Sequence, residues 1–156
     1  MPEQTWNPEK YAQHAGFVAS LGDDLIEMLA PARGETILDL GCGDGALTEK
    51  LLSRGCHVLA IDSSAEQIAA AAARNLDAQV VNAEAMTYDA AFEGVLSNAA
   101  LHWMQRSGAV IDGVWRALRP AGRFVGEMGG ARNIQAVVDA VTKILGEQGV
   151  DAAAYN

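Results

Sequence analysis

From Thr36 onward, short apolar segments alternate with segments of helical periodicity, and this alternation restricts the fold more than any other feature. Extended patterns cover Thr36–Leu40, His57–Ile61, Ala78–Val81, Phe92–Ser97 and Arg123–Met128. Short apolar strands separated by helices are typical of a parallel sheet with helices on both faces. A chain of 156 residues has room for one such domain. The sequence therefore predicts an α/β fold with about five strands.

Apolar residues spaced by three and four predict the helices. These stripes run from Leu21 to Leu29, Leu47 to Leu52, Val110 to Leu118 and Ile134 to Leu145. A further helix is predicted to begin after Ser64, because Gln67 follows three residues later. This spacing indicates a capping box, in which each of the two side chains bonds the other residue's backbone amide.

The stretch ILDLGCGDGALTE joins the first strand to a helix through a glycine-rich turn. Glycine allows left-handed torsions and lets a ligand lie against the main chain. In open parallel sheets, ligands bind outside the carboxyl ends of the strands, where this turn lies. The pattern Gly41-x-Gly43-x-x-Ala46 also satisfies a dinucleotide fingerprint, with Asp62 available for a ribose hydroxyl.

Two carboxylates argue against a dinucleotide. Asp44 lies at the start of the helix, where a pyrophosphate would need the positive end of the helix dipole. Asp39 adds a negative charge just before the turn. A cofactor without phosphate, with one ribose, an ammonium and a sulfonium, suits this acidic crevice better. S-adenosylmethionine has these groups.

Five segments, in order, resemble the motifs of class I S-adenosylmethionine-dependent methyltransferases. ILDLGCGDG resembles the first motif, VLAIDSS the second strand with its ribose-binding acid, and VNAEAM the adenine-contacting segment. FEGVLSNAALHWM and RALRPAGRFVGEM resemble the fourth strand with its active-site loop and the fifth strand with its preceding helix. SNAALHW is most similar to the small-molecule branch that contains trans-aconitate and malonyl-acyl-carrier-protein O-methyltransferases. The resemblance implies a Rossmann-like, doubly wound, mostly parallel sheet with strand order 3-2-1-4-5.

The resemblance also implies a cofactor site. Asp62 would accept both ribose hydroxyls, and Ala83 would flank the adenine. Cys42 is not expected to act as a nucleophile, because methyl transfer from a sulfonium needs no covalent enzyme intermediate. The implied cofactor-binding residues are Tyr11, Asp39, Gly41, Cys42, Gly43, Asp62, Ser63, Asn82, Ala83, Glu84 and Asn98.

The acceptor side is expected to follow strands four and five. His102 is a candidate general base, Trp103 would face the substrate, and Arg106 or Arg132 would bind an anionic acceptor. A carboxylate acceptor is already ionised, so the transfer would depend on proximity and alignment. The run beginning at Asn98 lacks the two prolines of amino-directed DNA and protein methyltransferases, which argues against methylation of nucleic bases.

Composition narrows the expected partners and location. A formal net charge of -9 opposes nucleic-acid binding, and no apolar run approaches the ~20 residues of a membrane span. The N-terminus lacks a secretory pattern, and the two cysteines show neither disulfide nor metal spacing. We therefore expect a cytoplasmic protein with a small-molecule acceptor, no bound metal, and no nucleic-acid or membrane partner.

The expected organisation is a helical lid segment, residues 1–34, followed by a methyltransferase core, residues 35–156. The resembling family usually continues with two more strands, so we expect a truncated core with strand five at the sheet edge. Such an edge favours self-association. The cofactor site is expected to survive the truncation, because its residues come mainly from the first four strands. Two alternatives stay open at this point: a non-catalytic S-adenosylmethionine-binding remnant, and a nicotinamide-dependent oxidoreductase that shares the glycine turn.

Overall fold

A computed structural model of the chain describes residues 22–130, 132–133 and 135–150. The five strands form one parallel sheet in the order β3-β2-β1-β4-β5, which confirms the predicted fold class and strand order. The strands are β1 Thr36–Leu40, β2 His57–Asp62, β3 Ala78–Val80, β4 Phe92–Asn98 and β5 Leu118–Glu127. The helices are α1 at 22–29, α2 Ala46–Ser53, α3 Ala65–Ala73, α4 Ser107–Ala117 and α5 Gln135–Glu147.

Alternating side chains of β1 divide the core between the two faces of the sheet. Ile37 packs with buried leucines of α1 and α2, whereas Leu38 and Leu40 pack with Val110 and Val114 of α4. Residues 22–29, part of the predicted lid segment, therefore contribute to the core. The lid role of the segment stays a prediction, and Tyr11 lies outside the described residues.

Strand β5 begins five residues earlier than predicted. Helix α4 ends at Ala117, and the chain continues as a strand from Leu118 through Pro120. The β4–β5 ladder shifts register between Phe92 and Gly94, which accommodates the extra residues. Proline lacks a donor for a ladder, so it is tolerated here because β5 pairs with β4 alone among the described residues.

The amino ends of the strands are joined by the Arg123 side chain. Its guanidinium donates to the Leu29 carbonyl at 2.5 Å and to the Glu35 carboxylate at 2.5 Å. This end lies opposite the glycine turn, because Arg123 pairs with Gly94 near the amino end of β4. Arg123 thus connects β5 to the end of α1 and to the residue that precedes β1.

No helix within the described ranges is long and apolar enough to span a membrane.

Candidate functional site

A cavity of about 380 Å³ opens at the carboxyl ends of β1, β2, β3 and β4. Its volume lies in the range of small-molecule sites. Nine of the predicted site residues line it: Gly41, Gly43, Asp62, Ser63, Asn82, Ala83, Glu84, Asn98 and Trp103. The structure thus brings together the two glycines, the β2 acid and the loops after β3 and β4 around one opening.

The three glycines of the turn have different physical roles, although all three have positive φ. A Cβ at Gly41 would lie 2.3 Å from the Cβ of Ala100, and one at Gly45 would lie 2.2 Å from Leu76 Cδ1. Gly41 is required by packing as well as by its φ of +76°, because the Cβ of Ala100 cannot turn away. Gly45 is favoured by its φ of +82°, since the end of the Leu76 side chain can move. A Cβ at Gly43 would meet no atom within 4 Å. Gly43 therefore presents bare backbone to the open cavity.

Asp62 organises the turn from the end of β2. Its Oδ2 accepts a hydrogen bond from the Gly43 amide at 3.0 Å, and its Oδ1 accepts one from the Ser64 amide at 2.9 Å. A carboxylate has about four lone-pair sites, so two remain for ligand hydroxyls. These residues fit a ligand that carries a ribose diol.

The predicted capping box at α3 forms only in part. Ser64 Oγ accepts the Gln67 amide at 3.2 Å, which confirms the helix start. Gln67 does not return the bond, because the Ser64 amide already donates to Asp62. The prediction of a reciprocal pair was wrong, since a carboxylate two residues before the N-cap takes the shared donor.

Asp44 occupies the N-terminus of α2 with its own side chain. Its Oδ1 accepts the Ala46 amide at 3.2 Å, and its Oδ2 lies 2.6 Å from the Arg74 guanidinium. An incoming pyrophosphate would have to displace this carboxylate from the helix end. The geometry supports the argument from sequence against a dinucleotide.

Asp39 lies beneath the turn and does not line the cavity. Its side chain is 1% exposed and accepts the Thr48 hydroxyl at 2.6 Å. Burial raises the pKa of Asp39 to about 6, the Thr48 hydrogen bond opposes this change, and the negative charge of Asp62 adds to it. Its predicted contact with the cofactor stays a prediction.

This raised pKa predicts a pH-dependent stability in the absence of ligand. The stabilising contribution of protonated Asp39 is complete below its ordinary pKa of 3.8 and is lost as the pH rises through about 6. Asp39→Asn removes the titration and keeps an oxygen for Thr48. From pH 8 to pH 5, the unfolding free energy of the unaltered chain should rise by about 1 kcal/mol relative to that of the variant. Urea unfolding at both pH values measures this difference, and a pH-independent difference would contradict the assignment.

Cys42 lies between the glycines and outside the cavity lining. Burial, and then the charges of Asp39 and Asp62, raise the pKa of its thiol. The thiol stays protonated near neutral pH and is a poor nucleophile. Cys42 and Cys56 are both free and buried.

Glu84 connects the loop after β3 to the loop after β4. Its Oε1 accepts the amides of Gln105 and Arg106 at 2.7 and 3.1 Å, and its Oε2 accepts Arg106 Nε at 2.9 Å. The amide and then the guanidinium of Arg106 lower the pKa of Glu84. Arg106, predicted to bind an anionic acceptor, is therefore ion-paired and does not line the cavity, so an acceptor would compete with Glu84 for it.

His102 and Arg132 also lie outside the cavity lining. Nδ1 of His102 accepts the Gly129 amide at 3.4 Å, and its ring lies 4.9 Å from the Trp103 ring. Arg132 is exposed. The general-base role of His102 and the substrate role of Arg132 stay predictions. Within the described ranges, no group of three or more His, Cys, Asp or Glu side chains could hold a metal ion.

Seven residues that the sequence reasoning did not include also line the cavity. Most are small or apolar residues that adjoin predicted ones, and they have no distinct sequence signal. They are Ile61, Gln67, Val81, Ala99, Ala100, Met104 and Gln105. Gln67 had a signal, because it lies in the first turn of the helix that follows the β2 acid.

Comparison with known proteins places this chain in a family. Residues 38–126 match the methyltransferase domain family. The chain is 40% identical to an uncharacterized methyltransferase of Schizosaccharomyces pombe over 93% of this chain and 59% of that protein. It is 33% identical to trans-aconitate 2-methyltransferase of Mycobacterium tuberculosis, over 76% of this chain and 49% of that protein. It is 32% identical to a malonyl-acyl-carrier-protein O-methyltransferase of Erwinia billingiae, over 75% of this chain and 48% of that protein.

The chain thus spans between 48% and 59% of the length of these relatives. Among solved structures, it superimposes on a TehB-like S-adenosylmethionine-dependent methyltransferase of Corynebacterium glutamicum with a TM-score of 0.66. That match has 28% sequence identity and covers 80% of this chain and 74% of the other. The family match, the relatives and the shared fold together show that the chain belongs to the class I S-adenosylmethionine-dependent methyltransferases.

Proposed function

We propose that the chain binds S-adenosylmethionine in this cavity and catalyses transfer of its methyl group to a small molecule, with carboxylates as the favoured acceptor class. The observation that carries the proposal is Asp62, whose carboxylate keeps two acceptor sites beside the bare backbone of Gly43. This pair suits a ligand that combines a ribose diol with an unphosphorylated chain lying along the turn.

The residues of the cavity would bind and align the reactants. Asp62 would hold the ribose, Gly43 would leave room for the methionine portion, and Ala83 would lie against the adenine. Trp103 and Met104, on the loop after β4, would exclude water from the acceptor side. The cofactor supplies a methyl group on a sulfonium, which is already a good leaving group. The chain's contribution would therefore be proximity and alignment, with no acid or base required for an ionised acceptor.

We propose carboxylate acceptors because of the names of the relatives, and not because the cavity holds a cation that would bind a carboxylate. Trans-aconitate 2-methyltransferase and malonyl-acyl-carrier-protein O-methyltransferase have carboxylate-bearing compounds in their names. No lysine, arginine or histidine among the described residues lines the cavity. Release of Arg106 from Glu84 is the rearrangement that would bring a cation to an anionic acceptor.

Calorimetric titration with S-adenosylhomocysteine tests the cofactor site, with nicotinamide adenine dinucleotide as the parallel ligand. The first should bind and the second should not, because Asp44 occupies the N-terminus of α2. Transfer of labelled methyl groups to a panel of carboxylic acids then tests the activity. Binding without transfer to any acceptor would support a non-catalytic protein, and binding of the dinucleotide alone would overturn the proposal.

We also propose a cytoplasmic location and self-association through β5. The two free cysteines suit a reducing compartment. The outer edge of β5 has no neighbour among the described residues, and Trp115 on α4 is 80% exposed. Light scattering of the chain is expected to show a species larger than a monomer, and a monomer with freely exchanging β5 amides would contradict self-association.

A further inference from the structure

Helix α5 presents an apolar stripe that the described part of the chain leaves uncovered. Val137, Val141 and Ile144 lie along the stripe, with Val138 and Leu145 at its margin. At about 100° per residue, the five side chains occupy an arc of about 120°. Four of them are 37–60% exposed, and no residue of α5 is buried. Because an amphipathic helix gains most of its stability from packing its apolar face, this stripe is expected to have a partner.

The charged residues of α5 lie on the opposite side of the helix. Asp139, Lys143 and Glu147 are exposed there. Burial of the stripe would therefore remove apolar surface from water without removing a charge from water. Such a surface suits an apolar protein face better than a nucleic acid or a charged small molecule.

Helix α4 carries a second uncovered apolar surface. On one flank, a Cβ at Gly113 would lie 2.8 Å from Met86 Cε, so the segment after β3 covers that flank. Ile111 and Trp115 lie about 160° away from Gly113 around the helix, and they are 49% and 80% exposed. We call these two residues the outer flank of α4. Because β3 and β5 lie at opposite edges of the sheet, the outer flank faces the β5 edge.

The link between β5 and α5 is long enough to reach a neighbouring molecule. β5 ends at Glu127 and α5 begins at Gln135, so seven residues separate them. An extended segment of that length spans about 25 Å. Two β5 strands that pair at their edges would lie about 5 Å apart. The outer flank of α4 in a second copy would then be within reach of α5.

We propose that α5 of one copy docks on the outer flank of α4 in a second copy, and that the exchange is reciprocal in a two-fold dimer. The inference rests on the self-association proposed through β5 and names the contact that stabilises it. Four exposed apolar side chains of α5 and two of α4 become buried on each copy. Counted over both copies, they give roughly the 1,200 Å² at which stable interfaces begin. Trp115 is the anchor, because large aromatic side chains contribute most at interfaces.

Val141→Glu tests the stripe, with Ala136→Glu as the matched control. Both substitutions add one negative charge at an exposed position of α5, but Ala136 lies on the charged side. The unaltered chain should be a dimer in sedimentation equilibrium. Val141→Glu should raise the dimer dissociation constant at least about tenfold, because it would bury an unpaired carboxylate in the interface. Ala136→Glu should change the constant less than about threefold, and circular dichroism should show both variants folded.

Crosslinking identifies which copy supplies α5. Chains with Ile111→Cys and chains with Val141→Cys, one of them tagged, are mixed and treated with a short bismaleimide. The mixed covalent dimer should be the main product, whereas the unaltered chain should not crosslink because Cys42 and Cys56 are buried. A chain with both substitutions that crosslinks within itself, without a dimer, would show that α5 covers its own α4 and would overturn the exchange.

The same measurements separate this contact from the other proposals. Equal dissociation constants for Val141→Glu and Ala136→Glu would leave association to the β5 edge and overturn the role of α5. A chain that stays monomeric at all concentrations would overturn both the exchange and the self-association. Val141→Glu should bind S-adenosylhomocysteine as the unaltered chain does, because no residue of α5 lines the cavity. Failure of the unaltered chain to bind that ligand would refute the cofactor site and leave the dimer contact standing.

Discussion

Asp62→Ala is expected to weaken S-adenosylhomocysteine binding by about 100-fold or more. Hydrogen bonds to a charged group contribute about 1.5–3 kcal/mol each, and the variant would lose two of them to the ribose. It would also release the amides of Gly43 and Ser64, which Asp62 holds at 3.0 and 2.9 Å. The turn would therefore lose its organisation together with the ligand contacts.

Calorimetric titration measures the loss, and Asp44→Ala is the matched control. Asp44 belongs to the same turn, but it faces Arg74 and lies outside the cavity lining. Its removal should change S-adenosylhomocysteine affinity by less than about threefold, because an exposed ion pair contributes little. Thermal melts should show that both variants remain folded. Similar affinities for Asp62→Ala and the unaltered chain would remove Asp62 from the site.

Gly41→Ala is expected to destabilise the fold by about 2–5 kcal/mol, which combines a strained left-handed torsion with overpacking. The added methyl would lie 2.3 Å from the Cβ of Ala100, at a φ of +76°. A loss of this size is a large part of the total stability of a domain. Urea unfolding should show a lower midpoint or no folded baseline.

Gly43→Ala gives the informative contrast within the same turn. Its φ is +56°, but a Cβ there meets no atom within 4 Å. The expected destabilisation is the torsional cost alone, about 1–2 kcal/mol. The methyl would instead occupy space that the ligand needs, so S-adenosylhomocysteine affinity should fall while the variant stays folded. If the Gly41→Ala variant proved as stable as the Gly43→Ala variant, that result would contradict the close contact between Gly41 and Ala100.

The sequence predicted the parts of the fold that depend on short-range patterns. Apolar runs bounded by turns located β1 with correct limits, and Ser64 marked the start of α3. The strand order came from the family resemblance. The start of β5 was missed because a proline commonly follows the end of a helix, so Pro120 indicated a loop before the strand. The pairing of Leu118 with Phe92 of β4 shows that the chain is already extended there.

The sequence predicted those site residues whose residue type is explained by a single physical requirement. A glycine with positive φ and an acid at a strand end are recognisable in sequence, as Gly43 and Asp62 show. Partners distant in the chain are not. The bond from Glu84 to Arg106 spans 22 residues, and the competition of Asp62 with Gln67 for one amide depends on loop geometry. From local spacing alone, Arg106 was predicted to bind a substrate and Gln67 to complete a capping box.

The connection made by Glu84 has a consequence for the order in which two ligands bind. One carboxylate fixes the segment that would contact adenine and also receives the amides of Gln105 and Arg106 at the start of α4. The two segments therefore lose conformational freedom together. A first ligand that immobilises one of them has already met part of the entropic cost of immobilising the other, so a second ligand binds more tightly. Cofactor and acceptor would then show positive cooperativity even without touching each other.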